Sequence, residues 1–179
     1  MILSLIGYRG CGKTVVAQEL GRRLDWPAVD ADQLIEEQAG LSIREIFSTQ
    51  GEAAFRARER QVISQLLTRD RLVLATGGGA ILDAGTRVAL RQAGPVVWLQ
   101  APVDVLRSRI AADLSSSHRR PSLTGLPPAD EITALLAVRE PLYAACATLV
   151  IDTALLTLEE VTDKVLAGLA LPPVTGRSP

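Results

Sequence analysis

The stretch Gly7-Tyr8-Arg9-Gly10-Cys11-Gly12-Lys13-Thr14 constrains the fold of this chain more than any other. It follows a short run of β-formers, Ile2–Ile6. It precedes Thr14–Leu24, where Val15, Val16, Leu20 and Leu24 recur at helical spacing. The stretch fits G-x-x-x-x-G-K-[ST] in the setting that pattern needs, a strand before and a helix after. Glycines let the backbone wrap around a phosphate with its N–H groups pointing inward, and the helix start adds a positive end. Lys13 is a mobile point charge for β- and γ-phosphates, and the Thr14 hydroxyl can ligate Mg²⁺. The position of Lys13 is informative because 17 of the 19 cations are arginine and Lys164 is the only other lysine. Cys11 reads as a small filler of the loop.

A phosphate loop between strand and helix belongs to a parallel sheet, and the rest of the chain supplies one. Trp26–Asp30, Arg71–Thr76, Val96–Leu99 and Leu149–Asp152 read as further strands. Between them, Asp32–Gln38, Ile43–Ser48, Glu52–Thr68, Asp83–Gln92, Pro102–Ala112, Asp130–Ala145 and Leu158–Leu169 read as helices. Pro141 is expected to kink or end its helix. The reading is an α/β, three-layer fold: a five-stranded, mainly parallel sheet with helices on both faces and right-handed crossovers. With 179 residues, one domain spanning 1–171 is expected, with a frayed tail over 172–179. Leu114–Pro128 is polar, turn-rich and suited to a mobile, cation-bearing lid.

Composition removes several function classes. The net charge of −1 argues against a broad nucleic-acid or anionic-membrane footprint. Two cysteines, Cys11 and Cys146, and one histidine, His118, support neither a disulfide framework nor a Cys/His metal site. The first apolar run is too short for a signal peptide or a membrane span, so a cytoplasmic location is expected.

In such sheets ligands bind beyond the carboxyl ends of the strands. After the second strand comes Asp30-Ala31-Asp32. One carboxylate can hold Mg²⁺ through water and the other can orient or deprotonate a hydroxyl; either can equally cap the next helix. After the third strand comes Gly77-Gly78-Gly79, which suits a close approach of substrate or of packed chain to the backbone, or a tight turn. Arginines at Arg56 and Arg139 lie on separate helices, and planar guanidinium forks match carboxylates.

Taken together these residues resemble the shikimate kinase family, over roughly Ile2 to Leu169. The resemblance is carried by the phosphate loop, Asp30-Ala31-Asp32, Phe55-Arg56-x-x-Glu59, Gly77-Gly78-Gly79, Arg120-Pro121 and Arg139-x-Pro141-Leu142-Tyr143. It implies strand order 2-3-1-4-5, a substrate-binding helical region over about 32–60 and a lid over about 113–128. It implies ATP and Mg²⁺ as cofactors, transfer of the γ-phosphate to the 3-hydroxyl of shikimate, and a monomer with no nucleic-acid or membrane partner. By the same resemblance Gly10, Cys11, Gly12, Lys13, Thr14 and Val15 hold the nucleotide phosphates. Thr14 ligates the metal, with Asp30 behind it through water. Asp32 binds the substrate hydroxyls and is the candidate base. Arg56, Arg139 and the Gly77, Gly78 and Gly79 backbone bind the acid, and Glu59 orients Arg56. Arg120 reaches the γ-phosphate from the lid, and Lys13, Asp32 and Arg120 form the catalytic set.

Overall fold

All of Ile2–Ile6 is buried, because both faces of this strand are covered. Ile2 and Ile6 join one apolar cluster with Leu72, Leu74, Val96 and Trp98. Leu3 and Leu5 join a second with Val73, Ala75, Val97 and Leu99. The period of two along three strands therefore sorts their side chains into two cores, one on each face.

The computed structural model describes residues 1–113 and 127–172. Within them lie strands β1 (Ile2–Ile6), β2 (Ala28–Asp30), β3 (Leu72–Ala75), β4 (Val96–Gln100) and β5 (Leu149–Asp152). The helices are α1 (Lys13–Leu24), α2 (Ala31–Ala39), α3 (Ile43–Leu67), α4 (Ala84–Ala93), α5 (Val103–Ala112), α6 (Pro128–Cys146) and α7 (Leu158–Gly168). The strands form one sheet in the order β2-β3-β1-β4-β5, every pairing parallel, as expected. Register places Asp30 beside Ala75, so the second and third strands present their following residues at the same edge. Among the described residues, no helix is long and apolar enough to cross a membrane.

Three local features differ from the sequence reading. The second strand begins at Ala28, because Trp26 N–H donates to Gly21 O and is still closing helix α1. The two helices expected over 43–68 are both there, but they abut within α3 with no loop between them and meet at Gly51, whose φ of 82° and ψ of 168° are not helical. A Ser42–Glu45 capping box starts this helix. Third, Pro141 lies inside α6 and does not end it. Proline removes one backbone donor, but the residues around it are anchored: Arg139 and Tyr143 are buried, and Tyr143 stacks on Trp98 at 5.6 Å. Tertiary burial outweighs the local penalty.

Helix α6 is shared by the two cores. Ile132 and Leu136 pack into the cluster with α1 and α7, whereas Tyr143 and Cys146 pack into the cluster with α3 and α4. Its middle, where Arg139 sits, therefore passes across the edge of the sheet.

Helices α1 and α7 are tied at the surface. Glu19 accepts a two-pronged bond from Arg22 (2.9 and 2.7 Å) and another from Arg23 Nε (2.9 Å), and Arg23 reaches Asp163 on α7. The Arg22 hydrogen bond, helped by Arg23, lowers the Glu19 carboxyl to about 2. A carboxylate depressed when folded adds stability that is present above its unfolded value and lost as pH falls toward its folded one. Glu19→Gln is therefore expected to lower stability near neutral pH by on the order of 1 kcal/mol, discounted for solvent around Arg22. The gap to wild type should close between about pH 5 and pH 2. Urea unfolding of both proteins at pH 7 and pH 3 checks this; an equal gap at both values rejects it.

Candidate active site

Between β1 and α1 the chain turns through Gly7, Gly10 and Gly12, with φ of 140°, 82° and 95°. At Gly7 space forbids a side chain as well: a Cβ there would collide with the Leu99 carbonyl oxygen. The loop folds around its own lysine. Lys13 Nζ donates to Gly7 O and Tyr8 O, each at 2.9 Å. Gly10, Gly12, Lys13, Thr14 and Val15 line an open cleft beside α1. Cys11 is set apart from them. Its side chain is 1% exposed and faces inward, and its N–H donates to Tyr8 O at 3.3 Å.

Asp30 takes the capping role left open by the sequence and makes a second contact with its other oxygen. Its Oδ1 caps α2, accepting from Asp32 N at 2.9 Å and Gln33 N at 3.4 Å. Its Oδ2 accepts the Thr14 hydroxyl at 2.5 Å. A hydroxyl and a carboxylate oxygen converging at the start of α1 form a hard-oxygen donor pair of the kind Mg²⁺ takes.

A second cleft opens next to the first. Arg56, Arg139, Phe47, Phe55, Asp32 and the three glycines line it. Arg56 is held by Glu59, which accepts at 2.7 Å, and by Glu52 at 3.1 Å. Burial pushes the Glu59 carboxyl up, and the Arg56 charge opposes this. Its other oxygen, Oε1, is buried without a donor among the described residues. Across the cleft Arg139 is 6% exposed and donates to Gly78 O at 3.4 Å. Tyr143 OH donates to the same carbonyl at 2.5 Å. Burial raises the Tyr143 hydroxyl well above its usual range, so it stays a donor.

The glycine triplet has a steric reason. A Cβ on Gly79 would lie 2.5 Å from the Arg56 guanidinium. One on Gly77 would collide with Glu59 Oε1 and lie 2.8 Å from Asp32 Oδ1. The missing side chains let two carboxylates and a guanidinium lie flat against the backbone. The turn then closes as a short 3₁₀ segment, Ala80–Leu82, which nothing in the sequence pattern marks.

Asp32, Arg9 and Ile43 line both clefts. The sequence pattern gives no special place to Arg9, to Glu131, which pairs with it at 3.7 Å, or to Arg109, which reaches Thr153 from α5 at 2.9 Å. No local signal marks these three, because their partners are distant in the chain. Residues 114–126 of the expected lid, Arg119 and Arg120 included, lie outside the described residues.

The family model for shikimate kinase matches residues 9–170. A shikimate kinase of Rhodopirellula baltica is 44% identical over 92% of this chain and 88% of its own. One from Symbiobacterium thermophilum is 40% identical over 94% and 96%. The structure of the Acinetobacter baumannii shikimate kinase in complex with shikimate superposes with a TM-score of 0.86 at 38% identity, over 92% of this chain and 90% of that one. A gluconokinase from Sinorhizobium meliloti shares the fold alone, at a TM-score of 0.60 and 18% identity, over 94% of this chain and 90% of that one.

Proposed function

The chain belongs to the shikimate kinase family, and from that premise we infer how its own residues carry a phosphoryl group from ATP to shikimate. It is an ATP-dependent kinase acting on shikimate. The observation that carries the residue assignments is the place of Asp32, on the border between a cleft built for phosphates and a cleft built for a small acid.

The acid cleft holds the substrate. Arg56 and Arg139 approach from opposite walls and offer two guanidinium forks to one carboxylate. The aromatic wall, Phe47 and Phe55 at 4.9 Å, covers the apolar side of a small ring. The 3-hydroxyl then points toward Asp32, which orients it and takes its proton during transfer. Glu59 Oε1 accepts from a second hydroxyl or from water.

The other cleft holds the nucleotide. The loop amides and the start of α1 cradle the β- and γ-phosphates, and Lys13 leaves its two carbonyl partners to follow them. Thr14, with Asp30 behind it through water, would hold Mg²⁺, which would supply positive charge against the nucleotide phosphates. Such a transfer needs positioning and neutralisation more than covalent help, and both come from residues of this one chain, in keeping with a monomeric enzyme. ATP and shikimate are small, water-soluble molecules, and we place the enzyme with them in the cytoplasm.

ADP release with shikimate as the sole acceptor tests the reading, with gluconate and neutral polyols as controls. Turnover confined to shikimate supports it, and turnover confined to another acceptor rejects it. Arg56→Lys and Arg139→Lys should each raise the KM for shikimate well over tenfold, since breaking a desolvated charge pair costs roughly 2–5 kcal/mol. The KM for ATP should change little. The opposite split would move these arginines to the nucleotide side.

A further inference from the structure

Among the described residues Arg9 is the one cation lining both clefts close to Asp32, apart from anything the phosphate loop requires of that position. Its side chain is 20% exposed, yet its guanidinium is only partly engaged. Nη2 stands 3.7 Å from Glu131 Oε1, beyond a direct hydrogen bond. Nε is buried without an acceptor among the described residues. The plane lies over the Tyr8 ring at 5.9 Å, and Arg139 approaches the same ring at 5.7 Å. One buried tyrosine ring is thus approached by two guanidinium groups. Arg139 faces the acid subsite, and Arg9 faces the border with the phosphates. Glu131, 2% exposed in the first turn of α6, is the ion-pair partner that Arg9 has in this position. A buried donor such as this Nε–H is costly to leave unpaired unless an anion arrives to use it.

We propose that Arg9 receives the phosphoryl group on the acceptor side, binding its oxygens as they leave ATP and holding them in the product. The proposal rests on the kinase reading above. In the step, the acceptor oxygen bonds to the γ-phosphorus and the bond from that phosphorus to the bridging oxygen breaks. The electron pair goes to ADP, and the hydroxyl proton goes to Asp32. Lys13 neutralises charge on the ADP side of the moving group. Arg9 does so on the other side, where a neutral hydroxyl becomes a phosphate ester. A planar fork there gains contacts only as the phosphoryl group arrives, which is what raises rate instead of substrate affinity.

The test compares wild type, Arg9→Met and Arg9→Lys by calorimetric titration with shikimate and with shikimate 3-phosphate, alongside steady-state kinetics. In Arg9→Met, shikimate affinity should change less than about threefold and shikimate 3-phosphate affinity should fall by about tenfold or more. The kcat should fall on the order of 100-fold with shikimate KM nearly unchanged, and Arg9→Lys should recover part of the loss. A purely structural tie to Glu131 predicts instead that both affinities fall together, and that result overturns the proposal, as does no change in either. If Arg9→Met does not fold, nitrogen-15 NMR of the wild-type arginine Nε–H groups decides. The Arg9 signal, assigned by its absence in Arg9→Lys, should move with shikimate 3-phosphate and stay in place with shikimate; indifference to the phosphate overturns the assignment. Wild-type turnover of shikimate checks the underlying reading separately. Its failure removes that reading, whereas normal turnover with an unaffected Arg9→Met removes the Arg9 role alone.

Discussion

Replacing Lys13 by alanine is expected to lower kcat by at least about 10²–10³-fold in a protein that still folds. The ammonium is the mobile charge of the loop, and its role is greatest when negative charge builds between the departing ADP and the moving phosphoryl group. The same group also ties the loop together through Gly7 O and Tyr8 O, so alanine removes two internal bonds as well. The substitution leaves both apolar cores intact, including the one in which the Tyr8 side chain is packed. The fold should therefore hold while turnover fails. Circular dichroism and thermal unfolding check the first part, and ADP release checks the second. A folded Lys13→Ala protein with near-normal kcat would remove the phosphate-loop assignment.

Asp32→Asn is expected to have an effect of similar size, on the order of 10²–10⁴-fold in kcat. Asparagine keeps the size of the side chain but neither takes a proton nor carries charge. Asp30→Asn should behave differently. Its Oδ1 holds the Asp32 amide and its Oδ2 holds Thr14, so loss of its charge should appear as a raised Mg²⁺ requirement. Kinetics of both variants across a Mg²⁺ titration separate the two. If Asp30→Asn abolished turnover at saturating Mg²⁺ and Asp32→Asn merely shifted the Mg²⁺ dependence, the two roles should be exchanged.

Features that local chemistry dictates are legible in the amino-acid sequence alone. Gly7, Gly10 and Gly12 must wrap a loop, and apolar strands between amphipathic helices must stack in parallel, so the phosphate cleft and the sheet follow from pattern. The strand order comes from family resemblance and not from pattern. Asp30 and Asp32 can be placed at a strand end, but their division of labour cannot, because it depends on which oxygen meets Thr14. Features set by distant packing stay hidden. Pro141 reads as a helix kink or stop because its cost is local, whereas the burial of Tyr143 against Trp98 that offsets it is tertiary. Arg9 resembles any loop arginine until α6 brings Glu131 to it. The glycine triplet stands out in the sequence, but the reason for Gly79, a guanidinium where its Cβ would be, comes from a helix more than twenty residues back in the chain.

Helix α6 acts as a rivet through the molecule. Its first half is clamped in one core, its second half in the other, and Arg139 sits between the clamps. To shift the stretch of helix that carries this arginine, the chain must loosen packing in both cores, a larger opening than the fraying of a helix end. The acid-binding wall is therefore more durable than a helix end. Mutations that thin either core should reach the substrate cleft through this one helix, even when they lie on the face of the sheet opposite to it.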